Sequence, residues 1–170
     1  MRFYIKEKVW SPTEAFVVRD DAGNAVFEIR GKFFHIGDDL VMVDSSTGQE
    51  LIHIQQHVLS LMPLYEMYRN GQLLASVHEQ FRLFGEGFKI EAGDGSILHV
   101  NGDIWQWNFS VTGDAGHLLA QIGRQFSLFR GSYAIDVTQG VDAAFMVALV
   151  IVIDMVRQHH QQQHHVQTMH

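Results

Sequence analysis

The chain has 170 residues, a net charge of −7 and no cysteine, and 46% of its residues are hydrophobic. A chain of this length forms one domain with a sizeable core, and the lack of cysteine excludes disulfides, thiolate metal sites and thiol nucleophiles. The acidic balance argues against a dedicated nucleic-acid binder, which would carry a basic footprint.

The first residues already alternate in the manner of a β-strand. Phe3 and Ile5 lie on one face of the segment, whereas Arg2, Tyr4 and Lys6 lie on the other. This start has neither the charged region nor the apolar region of a secretory signal peptide. Together with the absence of cysteine, it predicts a cytoplasmic protein, either free or peripherally attached to a membrane.

A glycine repeat organises most of the chain. Four units carry apolar residues at the third, sixth and tenth positions after the glycine, and Gly95 begins a fifth unit that fits only in part. The four are Gly23, Gly48, Gly71 and Gly116. Because the glycines accompany Asn, Asp, Ser or Thr, each predicts a tight hairpin turn. About twelve short strands result, at 3–6, 16–18, 25–30, 40–43, 50–55, 65–69, 73–78, 87–90, 97–100, 105–111, 117–122 and 132–137.

The pattern changes near the end of the chain. Residues 143–153 are all apolar, with Asp142 before them and Asp154 after them. The length of this run favours a helix over a central strand, and Asp142 is a suitable N-cap. A helix that is apolar on every face must be surrounded. At about 17 Å it is too short for a bilayer core of about 30 Å, so protein must surround it.

These two features explain each other. About twelve strands in a closed antiparallel barrel enclose more space than their own side chains fill, and an apolar helix can occupy that space. We therefore predict a single barrel domain over 1–157, with a central helix at about 141–157 and a polar tail rich in His and Gln over 158–170. The helix residues expected to be buried are Phe145, Val147, Leu149, Val150, Ile151 and Ile153.

Several stretches resemble LURP-one-related proteins: residues 117–129, 133–137 and 142–154, together with 3–6 and 54–63. The resemblance extends from residue 1 to about residue 157. That family belongs with the Tubby C-terminal-like barrels and is related to phospholipid scramblases. The resemblance thus implies twelve strands around a C-terminal helix, in agreement with the prediction made from the residues.

The resemblance itself indicates little about function. Together with basic strand faces and the lack of catalytic motifs, it favours a non-catalytic binding or scaffold module. Tubby proteins bind phosphoinositide head groups through basic residues of the barrel wall, and none of those positions is carried over to this sequence. Scramblases carry a calcium-binding loop before their last helix. The comparable segment here, 136–142, offers two carboxylates and lacks a complete calcium loop.

The candidate binding residues come from strand faces. Arg2, Lys6 and Lys8 share one face of the first strand, and Arg30 and Lys32 share a face further along the chain. If these strands are neighbours, they form a basic patch that suits phosphoinositides or other anionic lipid head groups. The alternative is that each is an ordinary solvated strand face.

Other functions remain open as alternatives. An enzyme would need acid–base residues such as Glu79, Glu91, His99 and Asp103 to meet in space, because no catalytic motif is present. A Tubby-like transcriptional role conflicts with the net charge. No cofactor or metal is predicted, and the sequence does not indicate protein partners or an oligomeric state.

Overall fold

The computed structural model describes residues 1–6, 16–32, 37, 39–57, 64–82, 85–124 and 132–167. These residues form twelve β-strands and one α-helix. The strands are β1 (Arg2–Lys6), β2 (Phe16–Asp20), β3 (Ala25–Lys32), β4 (Asp39–Asp44), β5 (Glu50–His57), β6 (Leu64–Arg69), β7 (Gln72–Arg82), β8 (Gly85–Ala92), β9 (Ile97–Asp103), β10 (Asn108–Thr112), β11 (Leu118–Arg124) and β12 (Ser132–Val137), and the helix is α1 (Ala143–Gln167).

The strands close into one antiparallel barrel, as predicted. Each strand pairs with its neighbours in the chain, and β1 completes the ring by pairing with both β2 and β12. At the closure Phe3 lies between Asp20 and Ile135. A closed ring leaves no unpaired strand edge.

A β-bulge in four hairpins explains the glycine repeat. In each, the third residue after the glycine has no partner in the register, which shifts at that point. The bulge residues are Val26, Leu51, Leu74 and Leu119, and all four are partly buried against the core. Residues at the sixth position, Ile29, Ile54, Val77 and Ile122, are fully buried. Bulges bend a strand and increase its twist, which helps this sheet to close.

The fifth repeat unit lacks the bulge. In the hairpin that contains Gly95, Leu98 pairs with Ile90 and Ile97 pairs with Glu91 without a shift. This agrees with its incomplete sequence pattern. The tenth positions of the other units are Phe33, Val58, Phe81 and Phe126; of these only the backbone of Phe81 falls within the described residues.

The helix fills the barrel. Its side chains from Met146 to Val156 are almost completely buried, and all the predicted helix core residues except Phe145 belong to this group. Phe145 is only partly buried because it lies in the first turn of α1. The helix also continues to Gln167, so residues 158–167 of the segment rich in His and Gln are helical. The described helix does not have the apolar length needed to cross a membrane.

Asp142 caps the helix as predicted. Its Oδ1 accepts a hydrogen bond of 3.0 Å from the backbone N–H of Phe145, and its Oδ2 lies 2.6 Å from Arg69 Nη1. Burial raises the pKa of the Asp142 carboxyl, but the hydrogen bonds from Arg69 and Phe145 outweigh this effect, so the pKa is lowered. The cap therefore stays charged and ties the start of the helix to β6.

The barrel has two distinct ends. The turn end carries the tight turns around Gly23, Gly48, Gly71, Gly95 and Gly116, and α1 begins there. The exit end is where the odd-numbered strands finish and where Arg157 of α1 meets the turn between β9 and β10. Since neighbouring strands are antiparallel, every odd-numbered strand runs from the turn end to the exit end.

Introducing a charge at the centre of α1 tests this architecture. Leu149 is completely buried, so Leu149→Asp would place an unpaired carboxylate inside the barrel, at a cost of several kcal/mol. We expect the variant to lose its cooperative thermal unfolding transition by circular dichroism. Leu118→Asp is the matched control, because Leu118 is 45% exposed and its variant should fold normally. A folded Leu149→Asp protein would contradict a central position for α1.

Candidate functional site

Basic residues concentrate at the exit end. Of the six odd-numbered strands in the described chain, four end on Lys or Arg, namely Lys6, Lys32, Arg82 and Arg124. The other two end on His57 and Asp103. Two carboxylates at this end are already engaged: Asp39 bonds the ring of His53, and Asp103 accepts the N–H of Gln106 at 3.0 Å.

The backbone positions of four basic residues follow one stretch of the exit rim, at or near the ends of β11, β1 and β3. Arg124 of β11 pairs with Tyr133 of β12, which pairs with Ile5, next to Lys6 in β1. Two strand spacings, about 10 Å, therefore separate the ends of β11 and β1. Strand β2 then lies between β1 and β3. We call Lys6, Arg30, Lys32 and Arg124 the basic arc.

The two arginines of the arc differ in their surroundings. Arg124 is exposed and makes no hydrogen bond or ion pair with another described residue. Arg30 is also exposed, but its Nη2 lies 2.8 Å from Glu28 Oε2. An exposed pair of this kind contributes little to stability, so an anionic ligand can compete with Glu28 for the guanidinium of Arg30.

The predicted basic residues do not all lie together. Lys6, Arg30 and Lys32 are near the exit end, but Arg2 lies at the turn end, where its Nε is 2.6 Å from Asp136 Oδ1. Lys8 falls outside the described residues. The first strand and the third are not direct neighbours, since β2 lies between them. Arg124 was not predicted, because no local pattern relates residue 124 to residue 6.

The turn end is acidic. Asp20, Asp44 and Asp94 lie in its hairpin turns, and the pKa of each carboxyl is lowered. In each case the main cause is a hydrogen bond from a side chain of the same turn, from Asn24, Ser46 and Ser96. For Asp44 the pKa falls to about 2. Because these hydrogen bonds favour the ionised forms, this end keeps its negative charge.

A turn at the exit end carries two tryptophans in opposite environments. Residues 105–111 were predicted as one strand, but β10 begins only at Asn108 and residues 104–107 form a turn. Trp107 adopts a φ of +55°, which a strand does not allow. Trp107 is buried, whereas Trp105 is 37% exposed. Asp103, directly before the turn, is the residue that could have indicated it.

A buried polar cluster holds this turn to α1. Arg157 Nη2 lies 3.2 Å from Asp154 Oδ1, and both residues are buried. The guanidinium carbon of Arg157 lies 4.4 Å from the ring centroid of Trp107. Trp107 also stacks on Tyr133, with the two ring centroids 3.7 Å apart. Arg157 Nη1 also donates to the carbonyl of Trp105 at 3.5 Å.

The outer wall has a separate polar groove. It encloses about 540 Å³ near the turn end and is lined by Glu50, Leu51, His53, Gln55, Tyr68, Asn70 and Gly71. No Lys or Arg is among the residues that line it, and the ring of His53 is bonded to Asp39, so the groove does not suit an anion. Next to it, Glu66 Oε2 lies 2.6 Å from His57 Nε2. Among the described residues, no three His, Asp or Glu side chains are arranged to hold a metal ion.

Two of the candidate acid–base residues lie on the same strand but far apart. His99 and Asp103 are four positions apart on β9, which separates them by about 13 Å. Glu91 of β8 forms an ion pair with Lys89. The side chain of Glu79 falls outside the described part of the chain.

The chain belongs to the LURP-one-related family, whose model matches residues 1–154. It is 30% identical over 156 residues to the protein YxjI of Bacillus subtilis (strain 168), an alignment that covers 92% of this chain and 93% of the relative. It is 25% identical over 175 residues to the protein LURP-one-related 15 of Arabidopsis thaliana, covering 89% and 78% of the two chains.

A solved structure shows the same fold. An Arabidopsis thaliana protein determined by X-ray crystallography matches with a TM-score of 0.66 and 23% identity, and the match covers 92% of this chain and 90% of that one. At this identity the likeness concerns the fold alone, and it agrees with the closed barrel described above.

The ionisation of Asp44 tests the hydrogen bonds that keep the turn end negatively charged. The folded-state pKa of about 2 lies below the ordinary value of 3.8, so the ionised carboxylate stabilises the fold above about pH 4, and this contribution is lost as the pH falls through about 2. We expect an NMR titration of the Asp44 carboxyl to give a midpoint near 2. Between about pH 4 and pH 2, the free energy of unfolding of Asp44→Asn should fall less than that of the wild type. A midpoint near 3.8 would contradict the hydrogen bonds from Ser46 and Thr47.

The buried pair Asp154–Arg157 is expected to show strong coupling. Asp154→Leu would leave the Arg157 guanidinium buried beside an apolar side chain, and we expect a loss of about 3–5 kcal/mol of unfolding free energy. The double variant Asp154→Leu/Arg157→Met should recover most of that loss, since it removes both charges. Urea denaturation of the two variants measures the difference. If the single and the double variant had equal free energies of unfolding, the two side chains would not depend on each other.

Proposed function

We propose that this protein is a non-catalytic binding module that docks with its exit end on an anionic membrane surface and recognises lipid head groups such as phosphoinositides. The observation that carries the proposal is the separation of charge between the two ends of the barrel. Basic residues end four strands at the exit end, and carboxylates with lowered pKa values occupy the turns at the other end.

This separation supplies both attraction and orientation. A chain with a net charge of −7 is repelled by an anionic surface as a whole. Local attraction therefore requires a basic region that faces the surface while the acidic groups point away. Each Lys or Arg close to an anionic surface contributes about 1 kcal/mol. Four residues in the basic arc thus suffice for a weak, salt-sensitive interaction.

The filled barrel supports a binding role. Helix α1 occupies the space inside the sheet with apolar side chains, and the candidate acid–base residues His99 and Asp103 lie far apart on the outside. A head group would therefore be bound at the rim, where Arg124 is exposed. Such a module would attach peripherally at the cytoplasmic side of a membrane.

Flotation with liposomes tests the proposal. We expect the protein to float with vesicles that contain phosphoinositides, to stay behind with neutral vesicles, and to bind less as salt increases. Lys6→Glu/Arg124→Glu should weaken binding at least about 30-fold, since two favourable contributions of about 1 kcal/mol are removed.

A matched control separates local from overall charge. Arg2→Glu/Arg19→Glu changes the net charge by the same amount at the turn end, and Arg2 lies on the same strand as Lys6. This control should reduce binding much less. Equal losses in both variants would show that the exit end has no special role, and absence of wild-type binding to anionic vesicles would reject the proposal.

A further inference from the structure

The exposed tryptophan at the exit end has an unusual setting. Trp105 is 37% exposed in a turn that the neighbouring residues hold firmly. Asp103 accepts the N–H of Gln106, and Trp107 N–H donates to the carbonyl of Ile104 at 3.4 Å. One tryptophan of the turn thus anchors it in the core, while the other is presented at the rim.

The central helix fixes the position of this turn. Arg157 contacts the carbonyl of Trp105 and the ring of Trp107 at once, and Asp154 holds the guanidinium from below. Trp107 keeps a left-handed φ of +55°, a conformation that is unfavourable for a bulky residue and persists only when its surroundings enforce it. The buried contacts therefore position Trp105 before any ligand arrives.

The turn lies beside the basic arc. Asn108, the first residue after the turn, pairs with Gly123, the residue before Arg124. An exposed indole and an exposed guanidinium thus occupy the ends of neighbouring strands. Tryptophan favours the boundary between lipid head groups and acyl chains, where its ring is partly apolar and its N–H remains hydrated. Basic residues beside it favour anionic lipids.

We infer that Trp105 is a membrane-insertion residue: its indole enters the interfacial layer of an anionic membrane, while Arg157 acts from inside the barrel as a positioning residue. This inference rests on the proposed function and adds an apolar contribution to it. Charge alone would give binding that disappears at high salt, whereas a buried indole contributes attraction that salt does not screen.

Tryptophan fluorescence tests the insertion directly. The chain has three tryptophans, and Trp10→Phe leaves only Trp105 and the buried Trp107. On anionic vesicles whose acyl chains carry bromine, we expect the emission of Trp10→Phe to shift to the blue and to be quenched. In Trp10→Phe/Trp105→Phe the remaining emission of Trp107 should be unchanged by the vesicles. Quenching that persists in the double variant would overturn the inference.

Binding measurements complete the test. Trp105→Ala should weaken flotation with anionic vesicles about tenfold or more, because it removes one large side chain from the interface, and the residual binding should become more sensitive to salt. Leu118→Ala is the matched control: Leu118 is also an exposed large apolar residue, but it begins β11 at the turn end, and its variant should bind as the wild type does.

The outcomes distinguish the two proposals. If the wild type floats and the charge reversals abolish binding, but Trp105→Ala is unaffected, the insertion is rejected and the electrostatic docking stands. If the wild type does not bind anionic vesicles at all, both proposals fail. Circular dichroism of Trp105→Ala verifies its fold, which we expect to be intact because the residue lies at the rim.

Discussion

The structure depends on one constraint, the need to surround a helix that is apolar on every face. From Met146 to Val156 the helix offers no polar side to water except the pair formed by Asp154 with Arg157. A two-layer sheet would cover only part of this surface. A closed ring covers all of it, and the four bulged hairpins supply the curvature that closing the ring requires. Sheet and helix therefore stabilise each other, and neither has a suitable partner without the other.

Much of the fold could be predicted from the sequence because hairpin turns, apolar helices and helix caps each depend on residues close together in the chain. The glycine repeat predicted the hairpins, and the apolar run predicted a central helix capped by Asp142. The bulges were not foreseen, although the apolar residue at the third position was visible. A period-two pattern assigns that residue to a face, whereas a bulge is a property of the pairing between two strands. The turn at Ile104 to Trp107 was missed for a related reason, since Trp105 and Trp107 alternate as they would in a strand.

The candidate site was less predictable because it combines residues distant in sequence. Lys6 and Arg124 lie near each other only because the first strand pairs with the last, and Arg157 reaches Trp107 only because the helix passes through the ring. The same closure moved Arg2 out of the proposed patch, to the opposite end beside Asp136. Sequence reasoning identified which faces of the strands are basic. It could not determine which ends of those strands share a rim, because that depends on the register around the whole barrel.

The seam of the barrel has a consequence for how the chain becomes folded. The strands that complete the ring, β1 and β12, are the first and the last of the twelve described strands in chain order, and the ammonium group of Met1 donates to the carbonyl of Val137 at 2.8 Å. Until Ser132 to Val137 have been synthesised, β1 keeps an unpaired edge, and until α1 follows, the inner face of the sheet has nothing to cover it. Pairings between such distant segments form slowly, and exposed strand edges can associate with other chains in the meantime. Productive folding of this protein therefore waits until β12 and α1 have been synthesised, and nascent chains that stall before α1 are the ones most exposed to aggregation.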